Sequence, residues 1–213
     1  MKKEIKDLRE EYVLSKLDLS DVDPNPIIQF SSWFNQALES NLPEPNAMTL
    51  ATVSELGYPS ARVVLLKGFD QRGFVFFTNY KSQKGNEILQ NSHVALVFSW
   101  LELQRQIRIE GVAKKISKEE SEEYFKTRPR GSKIGALASP QSQPIDRKQL
   151  EDSFQWIENH FQHSDQIPMP ENWGGFLVSP KRIEFWQGRR SRLHDRINYL
   201  LEQDQWKINR LAP

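Results

Sequence analysis

Cysteine is absent from the 213 residues, which excludes disulfides, Cys-ligated zinc, iron–sulfur clusters and thiol catalysis, and leaves the compartment open. An excess of either charge is absent too. The 29 basic and 28 acidic residues leave a net charge of +1, too balanced for a bulk nucleic-acid binder or an acidic solvating tail. Long hydrophobic runs are missing: the longest, His93 to Leu101, is about half of the roughly 18 residues that a spanning helix requires. The opening MKKEIKDLREEY has no apolar core, so no secretory signal is read and a cytoplasmic, non-membrane protein is expected. Also lacking are a G-x-S-x-G elbow, a P-loop, G-x-G-x-x-G and H-E-x-x-H. His160 and His163 lie three apart on an expected helix with no third ligand, and no metal is expected.

What is present can build a core: 38% hydrophobic residues, with 12 Phe, 6 Trp and 5 Tyr, although a mean hydropathy of −0.66 leaves a polar surface. The length suits a single domain over 21–213 behind an amino-terminal arm over 1–20. In the arm, Ile5, Leu8 and Tyr12 fall at helical spacing until DVDPNP breaks it. Asn25 then caps a helix with Pro26 at its first position and an apolar stripe of Ile27, Phe30, Phe34, Ala37 and Leu38. AMTLATV, ARVVLLKGF and FVFFT read as three antiparallel strands joined by ELGYP and DQRG. Lys81 to Gln90 reads as a short helix, and HVALVFSW and LQRQIRIEGVAKKI as two more strands. Ser117 and Glu120 form a capping box for a helix that stops at Arg128-Pro129. RPRGSK reads as a loop, GALASPQSQPI as a short helix and linker, and Asp146 opens a longer helix with Leu150, Phe154, Ile157 and Phe161 on one side. GGFLVSP, RIEFWQG, SRLHDRINYL and QWKINRLAP read as four closing strands. The class is α+β, mainly β, and strands joined by brief turns point to a barrel.

Three places carry chemistry. In ARVVLLKG, Arg62 and Lys67 bracket four aliphatic residues, either to meet an anion at a sheet edge or simply to reach water; a spacing of five puts them on opposite strand faces unless a bulge intervenes. Tyr124, Arg128 and the RGSK run can converge a phenol, a guanidinium and the Ser132 hydroxyl, the donors a phosphate monoester needs, or can form a solvated loop. In EFWQGRRSRLHDR, four arginines and one histidine fall within eight residues; an extended strand would put Arg190, Arg192, His194 and Arg196 on one face and Asp195 on the other. Like charges two apart repel, so such a face implies a compact anionic ligand against it. With no metal and no activated nucleophile in view, an organic cofactor is expected to do the hard chemistry.

RVVLLK at 62–67, FFTNYKSQK at 76–84, YFKTRPRGSKIG at 124–135, SPQS at 139–142 and WGGF followed by IEFWQG and RLHDR, in this order and ending in RLAP, closely resemble the pyridoxine (pyridoxamine) 5′-phosphate oxidase family. The resemblance runs from about Leu8 to Pro213. It implies an FMN-binding split β-barrel with flanking helices, a homodimer with FMN at its interface, and oxidation of pyridoxine 5′-phosphate and pyridoxamine 5′-phosphate by O2 to pyridoxal 5′-phosphate and H2O2, with NH3 from the amine. It further implies FMN contacts at Arg62, Val63, Val64, Leu65, Leu66, Lys67, Phe77, Thr78, Gln83, Lys84, Gln106, Gln141, Ser142, Trp186 and Arg196. Lys67, Tyr124, Arg128 and Ser132 would hold the substrate phosphate, Arg192 and His194 would act over the pyridine ring as the catalytic pair, and Arg9 and Tyr12 would cover the substrate as a lid. Asp195 is expected to be a structural partner for a cation. Gln83 stands where the family commonly has Arg, and Phe77 where Tyr is common; loss of one guanidinium would loosen FMN by about 1–3 kcal/mol. The alternatives are a related split-barrel FMN oxidase for another aromatic metabolite, such as a phenazine precursor, and a non-catalytic flavin or pyridoxal phosphate carrier; a nucleic-acid module is the weakest.

Overall fold

The computed structural model describes residues 4–8, 10–164 and 166–213. Among them are helices α1 (Pro26–Glu39), α2 (Gln83–Gln90), α3 (Lys118–Thr127), α4 (Arg130–Ala138) and α5 (Arg147–His160). The strands are β1 (Ala47–Val53), β2 (Pro59–Leu65), β3 (Gly68–Asp70), β4 (Gly73–Asn79), β5 (His93–Trp100), β6 (Arg105–Lys115), β7 (Trp173–Gln187), β8 (Asp195–Glu202) and β9 (Gln205–Arg210). Their hydrogen-bonded order is β2-β1-β5-β6-β7-β4-β3, with β8 on β7 and β9 on β8. The chain divides into two compact units, one of residues 1–50, 95–111 and 180–213, the other of 51–94 and 112–179.

In the first unit, α1 starts where expected: the Asn25 side chain accepts from the Ile27 N–H and Pro26 takes the first turn. Its apolar stripe packs on strands, Phe30 against Phe98 at 5.2 Å and Trp33 edge-on against Phe185 at 5.2 Å. Phe30, Phe98 and Phe185 are fully buried, so truncating any one to Ala removes about 3–5 kcal/mol. In the arm, the described residues form 3-10 turns at Ile5–Asp7 and from Leu19, and no α-helix; Ile5 and Leu8 are exposed, and an apolar stripe with nothing to pack against does not hold a helix.

In the second unit, ARVVLLKGF is not one strand. It breaks at Leu66–Lys67 into β2 and β3, and β4 pairs with β3 and β7, so the expected three-stranded meander is two separate hairpins. RPRGSK is not a loop either: Pro129 sits at the N-cap and α4 follows at once. Burial of Ile134 and Ala138 with Ile157 of α5 offsets the low helix propensity of Gly131 and Gly135. The capping box of α3 forms as expected, through Ser117 with Glu120, and Asp146 opens α5 as expected, where it also closes a capping box with Gln149.

The tail holds three strands, not four. GGFLVSP and RIEFWQG are halves of β7: Trp173 to Val178 pairs with β4 and Arg182 to Gln187 with β8. Pro180, which has no N–H to give, falls between the two pairings. SRLHDRINYL does not begin as a strand, because Arg190–Arg192 is a 3-10 turn with Ser191 at φ 56° and Arg192 at φ 59°. The shared face expected of Arg190, Arg192, His194 and Arg196 is therefore not formed, since strand alternation begins only at Asp195.

Candidate active site

A cavity of about 830 Å³ lies in the second unit. Arg62, Val63, Val64 and Leu65 reach it from β2, Lys67 from the break after it, Phe77 and Thr78 from β4, and Lys84 from α2. Tyr124 of α3, Arg128 at its C-cap, Ser132 of α4 and Gln141 beyond it complete the expected set. The β2–β3 break explains why Arg62 and Lys67, an odd number apart, share one cavity: strand alternation stops at Leu65.

One group of donors surrounds Arg62. Its Nη1 donates to Thr52 Oγ1 at 2.5 Å and its Nη2 to Ser60 Oγ at 2.6 Å, with Glu87 Oε2 3.4 Å away. Glu87 is buried and also accepts from Thr52, from Ser60 at 2.7 Å and from Gln83 Nε2 at 2.9 Å. Burial pushes its carboxyl up, but those hydrogen bonds and the Arg62 charge outweigh it and hold the pKa at about 2 against an ordinary 4.5. Lys84 beside them is 8% exposed and makes no hydrogen bond among the described residues; burial, then the Arg62 charge, lower its pKa, and Glu87 opposes them. Because the folded value of Glu87 lies below the unfolded one, its stabilisation is complete above 4.5 and is lost as the pH falls through about 2. Glu87→Gln is expected to remove on the order of 3 kcal/mol of pH-dependent stability across that window, read as a flattened acid limb in urea unfolding.

A second group of donors sits where α3 gives way to α4. Arg128 Nη2 donates to Ser132 O at 3.1 Å, and α4 begins with no side-chain cap, leaving backbone N–H groups at its start. The Tyr124 ring stacks on Phe77 at 3.9 Å, and Phe77 on Trp173 at 5.3 Å. Burial lowers the Arg128 pKa, with Tyr124 opposing.

The first unit holds a different cluster. Tyr12 lies edge-on to Trp186 at 5.7 Å and 5.7 Å from His194, which is 4.6 Å from Trp186. A Cβ at Gly188 would fall 2.7 Å from Tyr12 Cγ, so this close approach needs glycine. The arm is tied down beside it: Val13 N–H donates to Gln104 Oε1 at 2.8 Å and Leu17 N–H to Asp195 Oδ2 at 3.0 Å. Asp195 also accepts from Arg189 at 2.8 Å and Arg210 at 2.7 Å, a structural partner to two cations. Arg189 N–H donates to His194 Nδ1 at 3.1 Å, which leaves the proton of the neutral ring on Nε2. Burial and then the Arg192 charge lower the His194 pKa, Asp195 opposing. An NMR titration is expected to place His194 below 6.5, and Arg192→Ala is expected to raise it.

Other expected site residues stand apart from the cavity lining. Leu66 is buried, Gln83 is bonded to Glu87, and Ser142 is exposed at φ 71°. Gln106 is half-buried in β6, Trp186 belongs to the Tyr12 cluster, and Arg196 is spent on buried Glu184 at 2.8 Å and on Ala212 O at 2.7 Å. Arg9 lies outside the described residues. Trp173 and Glu87 were not expected: Trp173 opens the WGGF run already noted, but Glu87 has no local pattern that sets it apart from a surface glutamate on a polar helix. Among the described residues there is no group of three or more potential metal ligands and no helix long and apolar enough to cross a membrane.

A family pattern described as pyridoxamine 5′-phosphate oxidase matches residues 34–167. The chain belongs to this family. A second pattern, described as the pyridoxine 5′-phosphate oxidase C-terminal dimerisation region, matches residues 173–213. The chain is 55% identical over 210 residues to the pyridoxine/pyridoxamine 5′-phosphate oxidase of Paraburkholderia phytofirmans, covering 97% of this chain and 98% of that one. It is 54% identical over 215 residues to the protein of the same name from a Nostoc species, covering all of both. Among solved structures it is similar to PhzG from Burkholderia lata in complex with tetrahydrophenazine-1-carboxylic acid, with a TM-score of 0.86, 29% identity and coverage of 91% and 95%. A pyridoxamine 5′-phosphate oxidase-related, FMN-binding protein from Nostoc punctiforme aligns with a TM-score of 0.71 at 18% identity, covering 86% of this chain and 97% of that one, a likeness of fold alone.

The fold is thus the mainly β split barrel with flanking helices, and the protein is an oxidoreductase whose cofactor is FMN. The cavity fits that group. Arg62 and the unpartnered, buried Lys84 supply charge for a phosphate, and the apolar Val63 to Leu65 run and Phe77 supply wall for a flat ring.

Proposed function

We propose that this protein oxidises pyridoxine 5′-phosphate and pyridoxamine 5′-phosphate with O2 to pyridoxal 5′-phosphate and H2O2, the amine also taking up water and releasing NH3, in vitamin B6 synthesis and salvage. The observation that carries the reading is the pair of donor groups in one cavity, Arg62 with Lys84 and Tyr124 with Arg128 and Ser132. FMN has one phosphate; a second set of donors implies a phosphorylated substrate. Held by Arg62 and Lys84, FMN would supply a two-electron acceptor for the hydride of the substrate C4′, with O2 as the final oxidant. The residues of the chain bind and orient: Lys67, Tyr124, Arg128 and Ser132 on the substrate phosphate, Arg192 and His194 on its pyridine ring, with His194 balancing the proton. Arg9 and Tyr12 of the 1–20 arm cover the bound substrate, and the 173–213 region joins two copies into a homodimer, in keeping with the dimerisation pattern.

The likeness to PhzG favours one second reading, an oxidase for a phenazine precursor. A substrate without a phosphate would leave Tyr124, Arg128 and Ser132 without a ligand. Steady-state peroxide formation from pyridoxine 5′-phosphate, pyridoxamine 5′-phosphate and tetrahydrophenazine-1-carboxylic acid tests the choice. Turnover of the two phosphates supports the first reading, and turnover of the carboxylic acid alone overturns it.

A further inference from the structure

Arg128 leaves one nitrogen without a hydrogen-bond partner. Its Nε is buried and unpaired, the one such side-chain nitrogen or oxygen found among the described residues, although an unmet buried donor is costly. What faces the guanidinium is aromatic: its carbon lies 4.7 Å from the Trp173 ring centroid and 5.8 Å from that of Phe125. Trp173 is itself fixed. It is 5% exposed, Phe125 meets it edge-on at 5.0 Å, and its plane runs within 6° of Tyr124 and 12° of Phe77. Tyr124 and Arg128, from one end of α3, are thus referred to a single indole held at the start of β7.

We propose that Trp173 is a positioning residue for the phosphorylated substrate, acting through Arg128 and Tyr124. Its ring face replaces the acceptor that Arg128 Nε lacks, and the Nη nitrogens are left for Ser132 and the cavity. The donor group is then assembled before the phosphate arrives, so no binding energy is spent ordering it. The inference rests on the proposed role of Tyr124 and Arg128 as phosphate donors.

The test uses the FMN-loaded protein with pyridoxine 5′-phosphate and with unphosphorylated pyridoxine. Alanine is a poor probe, because Trp173 also walls a second cavity of about 1260 Å³ with Tyr80 and Phe125. Trp173→Leu is expected to raise KM for the phosphate about tenfold with kcat within about threefold, and to lower kcat/KM for pyridoxine by a much smaller factor, while Trp173→Phe recovers most of the loss. Calorimetric binding of pyridoxal 5′-phosphate should weaken in the same order. Should the leucine variant fail to fold, fluorinated tryptophans placed at 173 weaken the ring face at nearly constant shape, and KM should climb with each fluorine. Equal losses on both alcohols, or a KM indifferent to fluorination, would overturn the role of Trp173. A wild-type protein that takes both alcohols equally well would instead overturn the phosphate donors themselves, and this inference with them.

Discussion

Arg128→Ala is expected to lower kcat/KM for pyridoxine 5′-phosphate roughly a hundredfold or more, almost entirely through KM, because charge-assisted hydrogen bonds to a phosphate are lost. FMN should stay bound, since Arg62 and Lys84 are untouched. The melting temperature should move by only a few degrees: Arg128 makes one main-chain hydrogen bond, to Ser132 O, and its contact with the Trp173 ring is set against the cost of burying the guanidinium. Kinetics on the phosphorylated and free alcohols, paired with a thermal melt, check all three statements. A variant that loses stability and retains its KM would show Arg128 to be structural.

Arg62→Ala is the opposite case, in which function and stability fall together. The guanidinium binds Thr52 and Ser60 and faces Glu87, whose carboxylate is held at about 2 by that same set. Its loss exposes a buried carboxylate to weaker pairing and costs about 2–3 kcal/mol of stability. It also removes a cation from the flavin phosphate, so the FMN dissociation constant should rise about a hundredfold. Urea unfolding of the FMN-free protein and flavin fluorescence titration separate the two effects. Arg62→Ala with Glu87→Gln should restore much of the stability and none of the affinity; recovery of FMN binding in the double variant would show that Arg62 acts only on Glu87.

Arg62 and Glu87 also mark the boundary of what the sequence disclosed. Local chemistry was readable: the Asn25-Pro26 start of α1, the Ser117 capping box, the Asp146 start of α5 and the His93 to Trp100 strand depend on neighbours within a few residues. The strand break at Leu66–Lys67 and the turn at Ser191 and Arg192 were not readable, the first because it depends on a strand far along the chain, the second because it is closed by side-chain contacts within seven residues that the composition of the run does not single out. β4 takes its second neighbour from β7, and Arg189 to Asp195 folds back on itself through His194 Nδ1 and the Asp195 carboxylate. RPRGSK looked like a loop because glycine and proline punctuate it, whereas apolar burial four to eight residues later decides the helix. The cavity's cations were legible as cations. Glu87, which holds one of them, was not, since a single glutamate on a polar helix carries no pattern.

The proposed enzyme holds FMN and a phosphorylated B6 alcohol or amine in one cavity. The most direct measurement is anaerobic: the FMN-loaded protein is mixed with pyridoxine 5′-phosphate, and the oxidised-flavin absorbance is followed before and after oxygen is admitted. Bleaching that recovers in air, with one aldehyde formed per flavin, is the predicted result. Flavin that stays oxidised through the anaerobic phase, with FMN still bound, would contradict the claim.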